Sequence, residues 1–200
     1  LQTRSMGGVG VGMRNAAAVN LLNPAAYSAV RPKSFLFDFG LEGQCFYNSQ
    51  KYYGQTLNTS YYTVNFHDIA FQLPIAKHLG LGFSLTPYSS VGYRMKQEVD
   101  DDEIWGNIGR VQYQWDGDGD VTEVKLGLGW EIFRGFSIGI AAQYYWGDIQ
   151  RIYKTAILEN ITGGGLIADA TGTETYSVSR FKGQFGVQWS PISNRRRILT

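Results

Sequence analysis

The sequence predicts an all-β fold, an antiparallel transmembrane β-barrel carried in part by this chain and begun by a small helical N-terminal plug. Three observations predict it. From about residue 34 onward, apolar residues alternate with polar residues and glycine, the period of strands with one apolar face. The connections between these stretches alternate in length, and aromatic residues gather at strand ends on the apolar face. A composition of 25 Gly, 13 Tyr and 5 Trp against 5 Pro favours strands and tight turns over helices.

Residues 1–33 form the first domain and do not alternate. Gly7, Gly8, Gly10 and Gly12 are followed by Asn15-Ala16-Ala17-Ala18 and Leu21-Leu22-Asn23-Pro24-Ala25. Ala and Leu favour one or two short helices, which Asn15 and Asn23 would cap. The second domain, residues 34–200, holds about six strands. Phe35, Phe37, Phe39 and Leu41 mark the first. In the second, Val64 and Phe66 are apolar at even positions but Ile69, Phe71 and Leu73 at odd ones. One extra residue near His67-Asp68, a β-bulge, restores the phase. Leu79, Leu81, Phe83 and Leu85 mark the third strand, and Val124, Leu126, Leu128, Trp130 and Ile132 the fourth. Phe136, Ile138, Ile140, Ala142, Tyr144 and Trp146 mark the fifth, and Phe181, Phe185, Val187 and Trp189 the sixth. Ile198 opens a seventh.

Short links lie at residues 75–78, 133–135 and 191–197, long polar ones at about 48–59, 100–120 and 155–173. Short turns at one end and long loops at the other belong to outer-membrane barrels. Phe35, Phe71, Trp130, Phe136 and Trp189 form one aromatic girdle on the short-turn side; Tyr47, Tyr93, Trp146 and Phe181 form the other. The ten steps from Phe136 to Trp146 cover roughly 33 Å, or about 25 Å when tilted by about 40°, the height of a lipid-facing band. The opposite face carries Asp38, Glu42, Asn65, Lys125, Glu131, Gln143, Lys182 and Gln188, which suits a solvated lumen. A soluble antiparallel sheet with one wet face alternates in the same way and stays open as the alternative. No stretch is long and apolar enough for a membrane-spanning helix. Leu1 begins without a charged and apolar leader, so a signal peptide is either absent or already removed, and six strands are too few for a closed barrel of eight, so the barrel is expected to be incomplete here.

A net charge of +1 argues against a nucleic-acid partner. Cys45 stands alone, without a disulfide or a zinc site, and is read as a small packing residue. His67 and His78 lack metal-ligand spacing. Asp116-Gly117-Asp118-Gly119-Asp120 resembles a calcium loop, but Val121 and Gly127 occupy the positions of its Gly and bidentate Glu, so it is read as an Asp-Gly turn. Asp100-Asp101-Asp102-Glu103 reads as a solvated loop tip, with divalent bridging to lipopolysaccharide as the alternative. Arg195-Arg196-Arg197 reads as a solvated turn or an anchor at anionic headgroups. The Gly7–Gly12 run lacks the preceding strand of a phosphate-binding turn. No nucleophile, base and orienter can be assembled, so no enzyme, no catalytic residue, no metal and no cofactor are expected.

Ser5-Met6-Gly7-Gly8-Val9-Gly10, continuing through Asn15-Ala16-Ala17-Ala18 to Asn23-Pro24-Ala25, resembles the N-terminal hatch of FadL-type outer-membrane transporters. Leu79-Gly80-Leu81-Gly82-Phe83 through Pro87-Tyr88 is similar to that family's third strand, and Phe136-Ser137-Ile138-Gly139-Ile140 to its fifth. The resemblance implies a hatch motif at Asn23, Pro24 and Ala25, with about half of the barrel in this chain. It further implies a channel in the outer membrane of a Gram-negative bacterium, passing fatty-acid-like hydrophobic molecules through a hatch-gated lumen. Their exit would be a lateral opening at an inward kink of the third strand, here Pro87, Tyr88, Ser89 and Ser90. Pro87 independently predicts broken pairing, since proline donates no ladder hydrogen bond; an edge or bulge is the other reading. Membrane lipid and a hydrophobic small molecule would then be the partners. Barrels of this build also dock on protein secretion or surface assembly machinery without transport of their own, which would make the partner an outer-membrane protein.

Overall fold

A computed structural model of the protein describes residues 7–8, 10–52, 54–99, 110–159 and 169–190. It contains one 3-10 helix, Pro24–Ala29, and six strands: β1 (Leu36–Tyr52), β2 (Gln55–Ala76), β3 (Leu79–Glu98), β4 (Arg110–Phe133), β5 (Phe136–Glu159) and β6 (Ala170–Trp189). They form one sheet in sequence order, β1-β2-β3-β4-β5-β6, with β1–β2 and β2–β3 antiparallel. An open, all-β antiparallel sheet agrees with the period-two reading and with part of a barrel.

The strands are longer than the sequence suggests. β4 and β5 each have 24 residues, more than twice the 9–11 that cross a bilayer. The expected loop at 48–59 is a hairpin in which β1 and β2 stay paired out to Tyr52↔Gln55. The stretches 110–120 and 155–159, also read as loop, are strand. In the β1–β2 hairpin and at Asp116–Asp120 the ladder continues without an apolar face, because backbone pairing does not require one, while Val111, Tyr113 and Trp115 still alternate with Gln112, Gln114 and Asp116. Asp116–Asp120 accordingly sits inside β4 and is not a turn. Gly119 and Gly147, at φ 132° and 151°, each stand so close to the opposing backbone that a Cβ would collide with it, at Asp148–Ile149 and Asp120–Val121 respectively. Backbone proximity, not chain reversal, explains these glycines.

The bulge is where the phase break places it. Gly40 pairs with Asp68 and Leu41 with Phe66, leaving His67 as the extra residue. A second irregularity leaves Ile75 over between Pro74↔Gly80 and Ala76↔Leu79, just before the Lys77-His78 turn. His78 adopts φ 68°, a left-handed position that His tolerates better than most residues. Of the one or two short helices expected, one 3-10 helix is found among the described residues, capped by Asn23; Asn15 accepts a hydrogen bond from the Ala17 amide (2.9 Å) without starting a helix. Cys45 is exposed in β1 and not packed. Asp100–Glu103, Arg195–Arg197, Ile198 and the link at 191–197 lie outside the described residues.

The chain divides by its contacts into two units. One comprises Leu1–Pro87, Glu123–Tyr144 and Phe181–Thr200, the other Tyr88–Thr122 and Tyr145–Arg180. In the second, Asp116 accepts from Arg94 Nε (3.1 Å) and Gln114 Nε2 (2.6 Å), with Lys154 Nζ at 4.0 Å. Arg151 lies over the Tyr176 ring at 5.4 Å.

In the first unit burial is inverted relative to a water-soluble sheet. Leu126, Leu128, Trp130 and Ile132 of β4 are exposed, whereas Glu123, Lys125, Gly127 and Gly129 between them are buried. The same holds on β6, where Phe185 and Val187 are exposed and Gly186 and Gln188 buried. On β5, Ile140 and Ala142 face out while Ser137, Gly139, Ala141 and Gln143 are covered. The covering layer is the N-terminal segment.

Candidate functional site: a glycine and glutamine seat for the N-terminal segment

The helix Pro24–Ala29 presses its backbone and Tyr27 onto the sheet, and strand glycines make the room. A Cβ on Gly82 would come within 2.7 Å of the Tyr27 ring, and one on Gly127 within 2.8 Å. Side chains at Gly80, Gly129 and Gly139 would strike the backbone of Tyr27, of Pro24 and Ser28, and of Pro24 and Ala25. One at Gly186 would strike Asn23 and Pro24. The alternation places these glycines on one face of β3, β4, β5 and β6, so their missing side chains merge into a single trough. Tyr27 fills it at 1% exposure.

Around the trough, long polar side chains hold the segment by its carbonyls. Gln72 of β2 donates to Asn20 O (3.0 Å), Lys125 of β4 to Leu21 O (2.9 Å) and Gln184 of β6 to Leu22 O (2.7 Å). Gln188 donates to Val11 O (3.2 Å) and Met13 O (3.1 Å). The segment has no regular structure from residue 10 to residue 23, so its carbonyls need such partners once covered. Asn20 and Asn23 knit it internally. Asn20 Nδ2 donates to Gly10 O and Met13 O, both at 2.8 Å. Asn23 caps Ala25 N through Oδ1 (3.0 Å), while its Nδ2 reaches Val11 O (2.9 Å) and Val187 O of β6 (3.3 Å).

Charge is distributed sparingly. Lys125 Nζ lies 3.5 Å from Glu123 Oε1, which also accepts from Gln143 Nε2 at 3.2 Å. Toward the turns, Arg14 pairs with Glu131 (3.4 Å) and donates to Ser137 Oγ. The Tyr27 hydroxyl is buried with no hydrogen-bond partner, as are Gln143 Oε1 and Gln188 Oε1. Burial, reinforced by the nearby Glu123 charge, pushes the Tyr27 hydroxyl well above the usual tyrosine range.

Of the residues the sequence singled out, Asn23, Pro24 and Ala25 lie at the centre of this seat, all buried. Pro87, Tyr88, Ser89 and Ser90 are exposed within β3, which runs through Pro87 without interruption, and Tyr88 meets Tyr145 edge-on at 4.9 Å. The trough itself, with Gln72 and Gln184, was missed. Its signal was available: glycines recurring on the polar parity of successive strands, at 80 and 82, 127 and 129, 139 and 186. Among the described residues no group of three or more His, Cys, Asp or Glu is placed to hold a metal.

A model of the BamG family, a component family of the BAM complex, matches residues 1–200. No curated protein and no solved structure matches. The family match overturns the resemblance to FadL-type transporters and, with it, the reading as a channel for hydrophobic molecules. The physical reason is visible in the seat. Asn-Pro-Ala serves here as a helix cap, and the alternating glycines make room for backbone. Both serve the seating of a compact segment on the sheet and specify no transported molecule.

Proposed function

The chain belongs to the BamG family, and from that premise we propose that it is an integral β-barrel component of the outer-membrane protein assembly machinery, docking there without conducting a solute of its own. Family membership associates it with the bacterial outer membrane and with an outer-membrane protein partner. The observation that carries the finer reading is the inverted burial of the first unit. Exposed Leu126, Leu128, Trp130, Phe185 and Trp189 would each forgo about 25 cal/mol per Å² of apolar surface in water, whereas lipid is their natural solvent.

The seat supports the docking half. A gate that opens for each passing molecule works best with few ties, but this segment is bound to β2 and β4 through the buried Gln72 and Lys125 and to β6 through the partly exposed Gln184, and Tyr27 fills the trough. It acts as a fixed plug that makes the polar face solid and the wall stiff, properties of a scaffold. Tagged full-length protein, extracted from outer membranes in mild detergent, should co-purify with the core subunit of the assembly complex in fixed stoichiometry. Recovery as a free barrel carrying a bound amphiphile would reject the docking role.

A further inference from the structure

At the short-turn end of the first unit lies an open pocket of about 910 Å³, lined by Arg14, Val30, Arg31, Lys77, His78 and Arg134 among others. Its charge is lopsided for a local reason. Glu131 supplies the lining's carboxylate, and that carboxylate is fully occupied: Oε1 lies 3.4 Å from Arg14 and accepts from Gly135 N (3.3 Å), while Oε2 lies 3.0 Å from His78 Nδ1. The Glu131 amide donates to His78 O (2.8 Å), which fixes the Lys77-His78 turn beside the Arg134-Gly135 turn. Arg31, Lys77 and Arg134 are left exposed on the rim, with no ion pair among the described residues. The rest of the lining is largely apolar, with Val30 buried, Pro74 and Leu79 half-buried and Pro32 and Phe133 exposed.

We propose that this pocket is a docking site for an acidic, apolar-containing peptide segment of a partner protein, an inference that rests on the docking role above. Three observations favour a peptide over other anions. The volume is at the upper end of pockets that enclose drug-sized ligands, far more than one phosphate or carboxylate fills. Cations and apolar side chains on one lining suit a segment that carries both acidic and apolar side chains. Lys77 and Arg134 stand on two turns that Glu131 ties together through His78 and Gly135, so this part of the rim is preorganised and little ordering opposes binding.

The test uses the purified full-length protein in detergent and a fluorescent synthetic peptide of alternating Glu and Phe. Saturable, salt-sensitive binding is expected, weakened at least about tenfold by the combined Arg31→Glu, Lys77→Glu and Arg134→Glu substitutions. A Gln-for-Glu peptide should bind no better than the triple variant binds the acidic one. Absence of saturable binding, or equal binding by the variant with its sheet content intact by circular dichroism, overturns the proposal. So does displacement of the peptide by inorganic phosphate or by phosphatidylglycerol vesicles at equal charge, which would assign the rim to a phosphate or to lipid headgroups. Co-purification of the triple variant with the assembly core, alongside lost peptide binding, would reject this pocket as the contact while leaving the docking role standing.

Discussion

The Tyr27 ring occupies the space that a side chain on Gly82 would take, at 2.7 Å from where its Cβ would stand. Tyrosine and glycine are thus halves of one fitted contact, although the hydroxyl at the tip of that tyrosine finds no partner. Tyr27→Phe should therefore be neutral or stabilise by up to about 1 kcal/mol, since the ring stays and an unsatisfied group goes, while Tyr27→Ala should cost about 3–5 kcal/mol. Denaturant unfolding in detergent separates the two. Marked destabilisation by Tyr27→Phe would show that the hydroxyl is engaged.

The same hydroxyl makes a prediction about pH. Its ionisation is raised in the folded state by burial, from 10.0. Above about pH 10 the unfolded chain releases this proton while the folded one keeps it, so stability must fall as pH rises beyond that point. The alkaline loss should be smaller in Tyr27→Phe than in the native chain. Superimposable profiles of midpoint against pH would rule Tyr27 out as the source.

Gly139 faces backbone at Pro24 and Ala25, which cannot rotate aside, whereas Gly43 faces open space. Gly139→Ala is expected to lift the helix from the sheet and expose residues 10–23 to protease; Gly43→Ala, the control, should leave cleavage unchanged. Equal resistance in both variants would mean the seat has slack that its geometry denies.

Lys125 and Glu123 neutralise one another near the Leu21 carbonyl. Lys125→Met strands a mostly buried carboxylate and a carbonyl together, a loss of about 3–5 kcal/mol. Adding Glu123→Gln should recover part of it, because the unpaired charge is then gone. An additive double variant would show that the pair is not coupled.

In a Cys45→Ser background, cysteines at Leu128 and Val187 should react with a lipid-phase probe and resist a membrane-impermeant maleimide in intact outer membranes. Ready aqueous labelling at both would argue for a water-soluble sheet.

Much of this fold was legible because the two faces of each strand carry opposite residue types, so neighbouring residues alternate. The parity of Leu126, Leu128 and Trp130 against Lys125 and Gly127 survives intact in the exposure of β4. Even the single extra residue at His67 could be placed, since one insertion flips every later side chain. Strand length was only partly legible: Val111, Tyr113 and Trp115 alternate with Gln112, Gln114 and Asp116, but the Asp-Gly run after them reads as a turn, and Arg151–Thr155 lies in strand with no hydrophobic period to read. The seat was half legible. Asn23 and Pro24 announce a capped helix, but the trough is a property of four strands at once. A glycine on the polar face reads in isolation as an absence, and only the assembled sheet shows what it makes room for. Function was least legible, because capping and close packing answer to mechanics shared by proteins of different purpose.

The seat also fixes an order of events. Asn23 reaches Val187 across 164 residues of chain, and Gln188 reaches Val11 across 177. Its floor comes from β3, β4, β5 and β6, its clamps from β2, β4 and β6. Closing contacts of such separation is slow and gains nothing until the intervening strands are in register. The segment that leads the described chain must therefore wait, its carbonyls in water, until β6 is in register, and its docking reports that β2 through β6 are paired. A sheet short of β6 would betray itself by a loose N-terminus.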